Sequence, residues 1–200
     1  MIMNSLIRLG QTSKMPGFSF GLDARLCNVG SKLRSIKGST CEKCYAFKGR
    51  YPTPSVRKNR ATNMEHIKSS YFVYVMSYQL QDQRFFRWFD SGDLPDMKSL
   101  LKIVKIAKNT PHCKHWLPTR EYGLIKEYLK TRSFPKNLVV RVSAPMIDGP
   151  KPNGFDLTST VHKEAEPIGF SCPAISQGGQ CLNCRKCWDS RTKNISYKVH

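Results

Sequence analysis

Acidic side chains are scarce in this chain of 200 residues: 14 Asp and Glu stand against 33 Lys and Arg, a formal net charge of +19. Such an excess marks a polyanion partner, or else a basic surface that serves solubility alone. Long apolar runs are also missing. No stretch approaches the ~20 apolar residues of a membrane helix, so no membrane association is expected. The opening MIMNSLIRLGQTSK lacks the apolar run of a secretory leader, which points to a cytoplasmic protein. No RNP, helix-turn-helix or zinc-finger pattern occurs, so the charge alone carries the case for nucleic acid. The histidines, His66, His112, His115, His162 and His200, show no metal-ligand spacing among themselves.

Cysteine is plentiful and clustered. Seven of the eight cysteines form two groups, Cys27, Cys41 and Cys44 near one end, and Cys172, Cys181, Cys184 and Cys187 near the other. In a reducing compartment grouped thiols read as ligands rather than disulfides. Cys181-x2-Cys184-x2-Cys187 lets one turning loop aim three sulfurs at one centre, and with Cys172 the group has the ligand count of a 4Fe–4S cluster. Zinc is the rival metal, but a structural zinc site draws two CxxC pairs from separate turns, and here Cys184 would serve both. In the first group three thiols would leave one iron open for substrate. Alternatively Cys113, a histidine or a cysteine of the other group supplies a fourth ligand. A single centre shared by Cys41, Cys44 and two C-terminal cysteines is a further arrangement, so one or two clusters are expected. Cys113 itself reads as a small buried side chain.

About 40% of the chain is apolar, enough for the core of one domain over residues 1–200. Residues 1–54 form a Gly- and Pro-rich loop region around the first cysteines. Residues 55–143 hold a long helix over 55–82, with a break near Ser69 and Ser70, followed by strand–helix units. Strands are expected at Arg84–Phe89, Lys114–Leu117 and Asn137–Ser143. Helices are expected at Pro95–Asn109 and Tyr122–Thr131, the first with Met97, Leu100, Leu101, Val104 and Ala107 on one face. Residues 144–200 return to loop, with the second cysteine group and an irregular tail. Alternation in units of roughly 25–30 residues implies parallel strands joined by right-handed crossovers. The fold class is therefore α/β, a partial (β/α) barrel or small parallel sheet with irregular cysteine-rich ends. The chain is too short for a full barrel of ~250 residues.

The edge where strands end and helices begin carries chemistry in such folds. The first such turn is Asp90-Ser91-Gly92-Asp93: Asp90 is a candidate ligand contact, Gly92 permits close backbone approach, and Asp93 either acts in the site or caps the next helix. Thr119-Arg120-Glu121 occupies the equivalent place, where Arg120 could grip a carboxylate or phosphate, or pair with Glu121. Ser143 ends the third strand. Asp90, Asp93 and Arg120 are thus candidate catalytic residues, and Ser91, Gly92, Thr119 and Ser143 candidate binding residues. Arg141, inside an apolar run, must find an acidic partner or a polar interior.

Five segments in order, CEKCYAFKGRY, FFRWFDSGD, HWLPTRE, NLVVRVSAPMIDG and CPAISQGGQCLNCRKCWD with the closing ISYKVH, resemble the phage "gene product 88" family over nearly the whole chain. The resemblance implies that Cys27, Cys41, Cys44, Cys172, Cys181, Cys184 and Cys187 are the motif cysteines, with Cys113 outside the pattern. A looser likeness is to radical S-adenosylmethionine enzymes, which place a three-cysteine cluster before a partial barrel with a polar turn after its second strand, here Ser91-Gly92-Asp93. It implies S-adenosylmethionine as an additional cofactor, although the compact CxxxCxxC of those enzymes is replaced by Cys27-x13-Cys41-x2-Cys44. These readings lead to an iron–sulfur protein of the host cytoplasm. Its expected role is a redox or radical-type enzyme acting on a small molecule or nucleotide, served by an electron donor. The alternative is a metal-stapled, non-catalytic module whose basic surface binds nucleic acid or an acidic host protein.

Overall fold

The computed structural model describes residues 7–199; His200 lies outside the described residues. Strands β1 (Gly10–Gln11), β2 (Phe18–Phe20), β3 (Phe85–Trp88), β4 (Lys114–Thr119), β5 (Leu138–Ile147), β6 (Thr158–His162), β7 (Phe170–Ser171) and β8 (Asn194–Lys198) form one sheet in the order β1-β2-β3-β4-β5-β6-β8-β7. Only the β1–β2 pair is antiparallel. The sheet stays open, with β1 and β7 at its edges. Helices α1 (Asn28–Leu33), α2 (Pro54–Lys68) and α3 (Phe72–Gln79) connect β2 to β3, α4 (Met97–Asn109) connects β3 to β4, and α5 (Tyr122–Leu129) connects β4 to β5.

Alternation along the strands divides the sheet into two unlike faces. Phe86, Trp88, Leu117, Leu138, Val140 and Val142 point to one side and pack against Ile67, Phe72, Met76, Leu100, Ile103 and Ile125 of the helices. Arg87, Trp116, Arg141 and Ser143 point to the other, where among the described residues no helix longer than a single turn covers them. That second face is closed instead by the short 3-10 turn Lys186–Trp188: the Trp188 ring lies edge-on to Trp116 at 5.4 Å, and its Nε1 donates to the Phe86 carbonyl at 2.9 Å.

Local chemistry sets the helix limits. The Asp96 carboxylate accepts from Ser99 N at 2.7 Å and starts α4, whose Leu100, Ile103, Val104, Ile106 and Ala107 form a continuous buried stripe. The expected break in the long helix falls at Ser69, whose backbone turns extended (ψ 156°). The carbonyls freed there, those of Ile67, Lys68 and Ser69, all accept from Lys102 Nζ at 2.7–2.9 Å.

The regions read as irregular contribute five strands, and β5 runs four residues past its expected end at Ser143. β1, β2 and β7 are two or three residues long, too short to show a period. β6 and β8, TSTVH and NISYK, hide for another reason. Apart from Ile195 their buried side chains are polar, and they bond across the strands: Thr158 Oγ1 donates to Asn194 Oδ1 at 2.7 Å, and Asn194 Nδ2 donates to Thr160 Oγ1 at 2.9 Å. Such a ladder lacks the apolar alternation by which a strand is recognised.

His115 of β4 is fully buried, stacked on Trp88. Trp88 Nε1 donates to its Nδ1 at 3.3 Å, which leaves the ring proton on Nε2, facing Thr110 Oγ1 at 2.9 Å. Burial, with a smaller contribution from nearby His112, pushes its pKa down to about 3. An unfolded histidine titrates near ~6.5, so between the two values only the unfolded chain gains the proton, and stability falls as pH drops. From pH 7 to pH 5 the loss due to this ring is about 2 kcal/mol. Urea denaturation at the two pH values should show that loss in the wild-type protein and a smaller one in His115→Gln.

Candidate functional site

The first cysteine group sits over the C-terminal edge of β3, β4 and β5, lashed there by each strand's following turn. Asn28 Nδ2 donates to the Pro95 carbonyl at 3.1 Å, beyond β3. Val29 N donates to Glu121 Oε1 at 3.1 Å, beyond β4. Thr40 N donates to the Pro145 carbonyl at 2.8 Å, and Ile147 N to the Gly38 carbonyl at 2.9 Å, so the loop before Cys41 pairs with the end of β5. This pairing explains why β5 continues beyond Ser143. Gly30 is buried in α1, and a Cβ there would lie 3.6 Å from Cys27 Sγ and 3.7 Å from Cys41 Sγ, so glycine leaves room where these sulfurs converge. Burial, together with Asp93 and the thiols of Cys44 and Cys41, pushes the Cys27 thiol up to about 12, and burial raises Cys44 as well.

The second group is built on the other face of the sheet. Cys172 N donates to the Ser196 carbonyl of β8 at 2.8 Å, Cys181 N to the Lys14 carbonyl at 2.8 Å, and Cys184 N to the Cys181 carbonyl at 2.8 Å. Cys187 Sγ lies 3.3 Å from the Tyr197 hydroxyl. Burial pushes Cys187 up to about 12 and raises Cys181, and each of these thiols is influenced by its own group's members, Cys172 among them. Cys27, Cys44, Cys181 and Cys187 are each influenced by thiols of their own group, and every cysteine is a free thiol. Among the described residues no set of three or more His, Cys, Asp or Glu side chains is arranged to hold a metal ion.

Arg141 anchors this second loop. Its side chain is completely buried, and among the described residues no carboxylate forms an ion pair with it. Nη2 donates to the carbonyls of Asp189 at 2.9 Å and Lys186 at 3.1 Å, Nε to Cys187 at 3.3 Å, and Nη1 to Thr158 and Lys193 at 3.4 Å. The acidic partner allowed for by the sequence is replaced by five main-chain oxygens.

The turn after β3 is largely committed to structure. Ser91 Oγ donates to the Leu22 carbonyl and Leu22 N donates to the Ser91 carbonyl, both at 2.8 Å. Gly92 has φ +75°, and a Cβ there would fall 2.7 Å from Leu22 Cβ. Asp90 is buried and ion-paired with Arg60 at 2.6 Å, but its Oδ1 has no partner. Asp93 does not cap α4, because Asp96 takes that place. It spans instead to the next turn: Thr119 Oγ1 donates to Oδ1 at 2.6 Å and Arg120 N to Oδ2 at 2.9 Å. Desolvation raises the Asp93 pKa against these bonds. Ser143 is mid-strand and shares a hydroxyl contact with Ser159 at 3.0 Å.

Arg120 is different. Its guanidinium forms neither hydrogen bond nor ion pair among the described residues, Glu121 being turned to Val29, and its Nε is buried without a partner. It borders a cavity of about 540 Å³ with Val29, Glu121, Tyr122 and Pro145, beside the first thiol group. Arg34, the neighbour of both Cys27 and Cys44, also has an unpartnered buried Nε and was not singled out from the sequence. Its signal, a lone arginine in a glycine-rich loop, does not differ from those of its exposed neighbours. Cys113 is buried in the core, away from both groups.

An open, mainly parallel α/β sheet with one thiol group on its C-terminal edge and another on its helix-free face defines a cysteine-rich α/β protein. The chain belongs to the family described as Gene product 88, whose family model matches residues 4–190. No curated protein and no solved structure matches it, so the looser likeness to radical S-adenosylmethionine enzymes gains no support.

Replacing Arg141 by Met should strand its five carbonyl partners and cost roughly 3 kcal/mol or more. Because those carbonyls belong mainly to residues 186–193, iodoacetamide labelling followed by peptide mass spectrometry should show faster modification of Cys184 and Cys187, with Cys27, Cys41 and Cys44 unchanged.

Proposed function

We propose that this protein is an iron–sulfur redox or radical-type enzyme of the host cytoplasm, acting on a small molecule or nucleotide at the C-terminal edge of its sheet. The observation that carries the reading is the gathering of seven free thiols into two separate groups, the first beside a cavity and an unpaired arginine. A structural zinc site would need Cys184 to serve two CxxC pairs at once, whereas Cys181-x2-Cys184-x2-Cys187 with Cys172 has the ligand count of a 4Fe–4S cluster, which favours iron–sulfur over zinc. Cys27, Cys41 and Cys44 would hold one cluster, and Cys172, Cys181, Cys184 and Cys187 another. Such clusters supply one-electron chemistry. Arg120 would bind an anionic group of the substrate, Asp93 would fix the Thr119–Arg120 turn, and Asp90 would be held in place by Arg60. Neutral buried thiols release their protons on taking up a cationic centre, so loading should weaken in acid.

A second reading has its own support in the net charge of +19: a metal-stapled module without catalysis, whose basic surface meets nucleic acid or an acidic host protein. Iron and acid-labile sulfide analysis of anaerobically purified protein separates the possibilities. Two clusters predict that Cys44→Ala and Cys184→Ala each lose about half of the iron; complete loss from either would indicate a shared centre. Colourless, folded protein with no iron would refute the proposal. Cleavage of S-adenosylmethionine under dithionite would extend it to radical chemistry.

A further inference from the structure

The outer surfaces of α3 and α4 belong to neither thiol group. The two helices lie side by side: Asn109 Nδ2 donates to Ser77 Oγ at 3.1 Å, and Lys102 holds the joint that precedes α3. Away from the core, α3 and the residue before it present Tyr71, Tyr74 and Tyr78, whose exposures are 42%, 77% and 60%. The neighbouring solvent face of α4 presents Lys98, Lys105 and Lys108. These lysines enter no hydrogen bond or ion pair among the described residues. Neither helix contains Asp or Glu, and Asp96, at the foot of α4, is occupied as its cap.

Tyr71 is bonded through its hydroxyl to His66 Nδ1 at 2.8 Å, while Tyr74 and Tyr78 stand in water, and these rings beside three unneutralised ammonium groups match one kind of occupant. Lysines without local carboxylates seek phosphates, and exposed ring faces seek other flat π surfaces. Tyr71, Tyr74 and Tyr78 are spaced by about 4.5 and 6 Å along the helix axis, a separation that successive unstacked bases can follow. A duplex would hide its base faces, and a folded acidic protein would supply carboxylates but no rings in sequence. We propose that the outer face of α3 and α4 binds single-stranded nucleic acid, with bases stacked on Tyr74 and Tyr78 and phosphates on Lys98, Lys105 and Lys108. The site does not depend on whether the cysteines carry iron.

Fluorescence anisotropy with labelled oligo(dT) and oligo(U) tests this on the full chain. The double variant Tyr74→Ala, Tyr78→Ala should weaken binding about tenfold or more, while Tyr74→Phe, Tyr78→Phe should retain it. The triple variant Lys98→Gln, Lys105→Gln, Lys108→Gln should flatten the dependence of log affinity on log salt by about 2. All these side chains are exposed, so the melting temperature should not move. The proposal is overturned if the wild-type protein binds neither oligonucleotide, or if the variants bind as the wild type does. It is equally overturned if phosphatidylserine vesicles, and not oligonucleotides, are captured through the same residues.

Discussion

A buried cation, Arg141, ties the C-terminal cysteine loop to the middle of the sheet. It rises from the middle of a largely apolar strand, on the face of the sheet closed by the turn Lys186–Trp188, and its charge is met by the main-chain oxygens of residues 186–193 and of Thr158. A guanidinium left alone there would carry a heavy desolvation penalty. The loop that satisfies it is the one carrying Cys184 and Cys187, so the same contacts that neutralise the strand also fix the backbone from which those thiols project. Desolvation lowers the Arg141 pKa, against the opposing influence of Tyr197, Cys187 and Asp189.

The opposite edge is organised by turns that brace one another. Asp93 reaches from the turn after β3 to the turn after β4, and Gly92 lets that first turn press against Leu22. Gly21 plays a comparable part beneath the Asp90–Arg60 pair, where a Cβ would collide with both side chains. The glycines of this region are thus defined by what approaches them. Once those turns are committed to each other, Arg120 and Arg34 are left with unused hydrogen-bonding capacity beside the first thiol group.

Periodicity revealed the central α/β unit. The stripe of α4, the break at Ser69 and the strands β3, β4 and β5 were all legible, because each buries apolar residues at the spacing of its own secondary structure. The flanking strands were not, since β6 and β8 bury threonine, serine and asparagine in pairs that form only when the two segments meet. The grouping of the cysteines was legible from spacing, but their separation onto an edge and a face was not. Asp93 and Asp96 lie three residues apart and both suit a helix cap. Only the position of the next turn shows which of them is needed elsewhere. Arg141 was visible as an anomaly in its strand, while carbonyl partners, common to every residue, leave no mark in a sequence.

The strand order also bears on the timing of assembly. β8 lies between β6 and β7, although it follows both along the chain. During translation β7 therefore has no neighbour to pair with, β6 offers a bare edge, and Arg141 waits without its carbonyls, until residues 186–198 have emerged from the ribosome. An unpaired edge beside an unmet cation invites association with other nascent chains. This later-made segment thus acts as the latch on the nascent sheet, and its arrival, rather than collapse of the central α/β unit, sets the moment at which the sheet becomes complete.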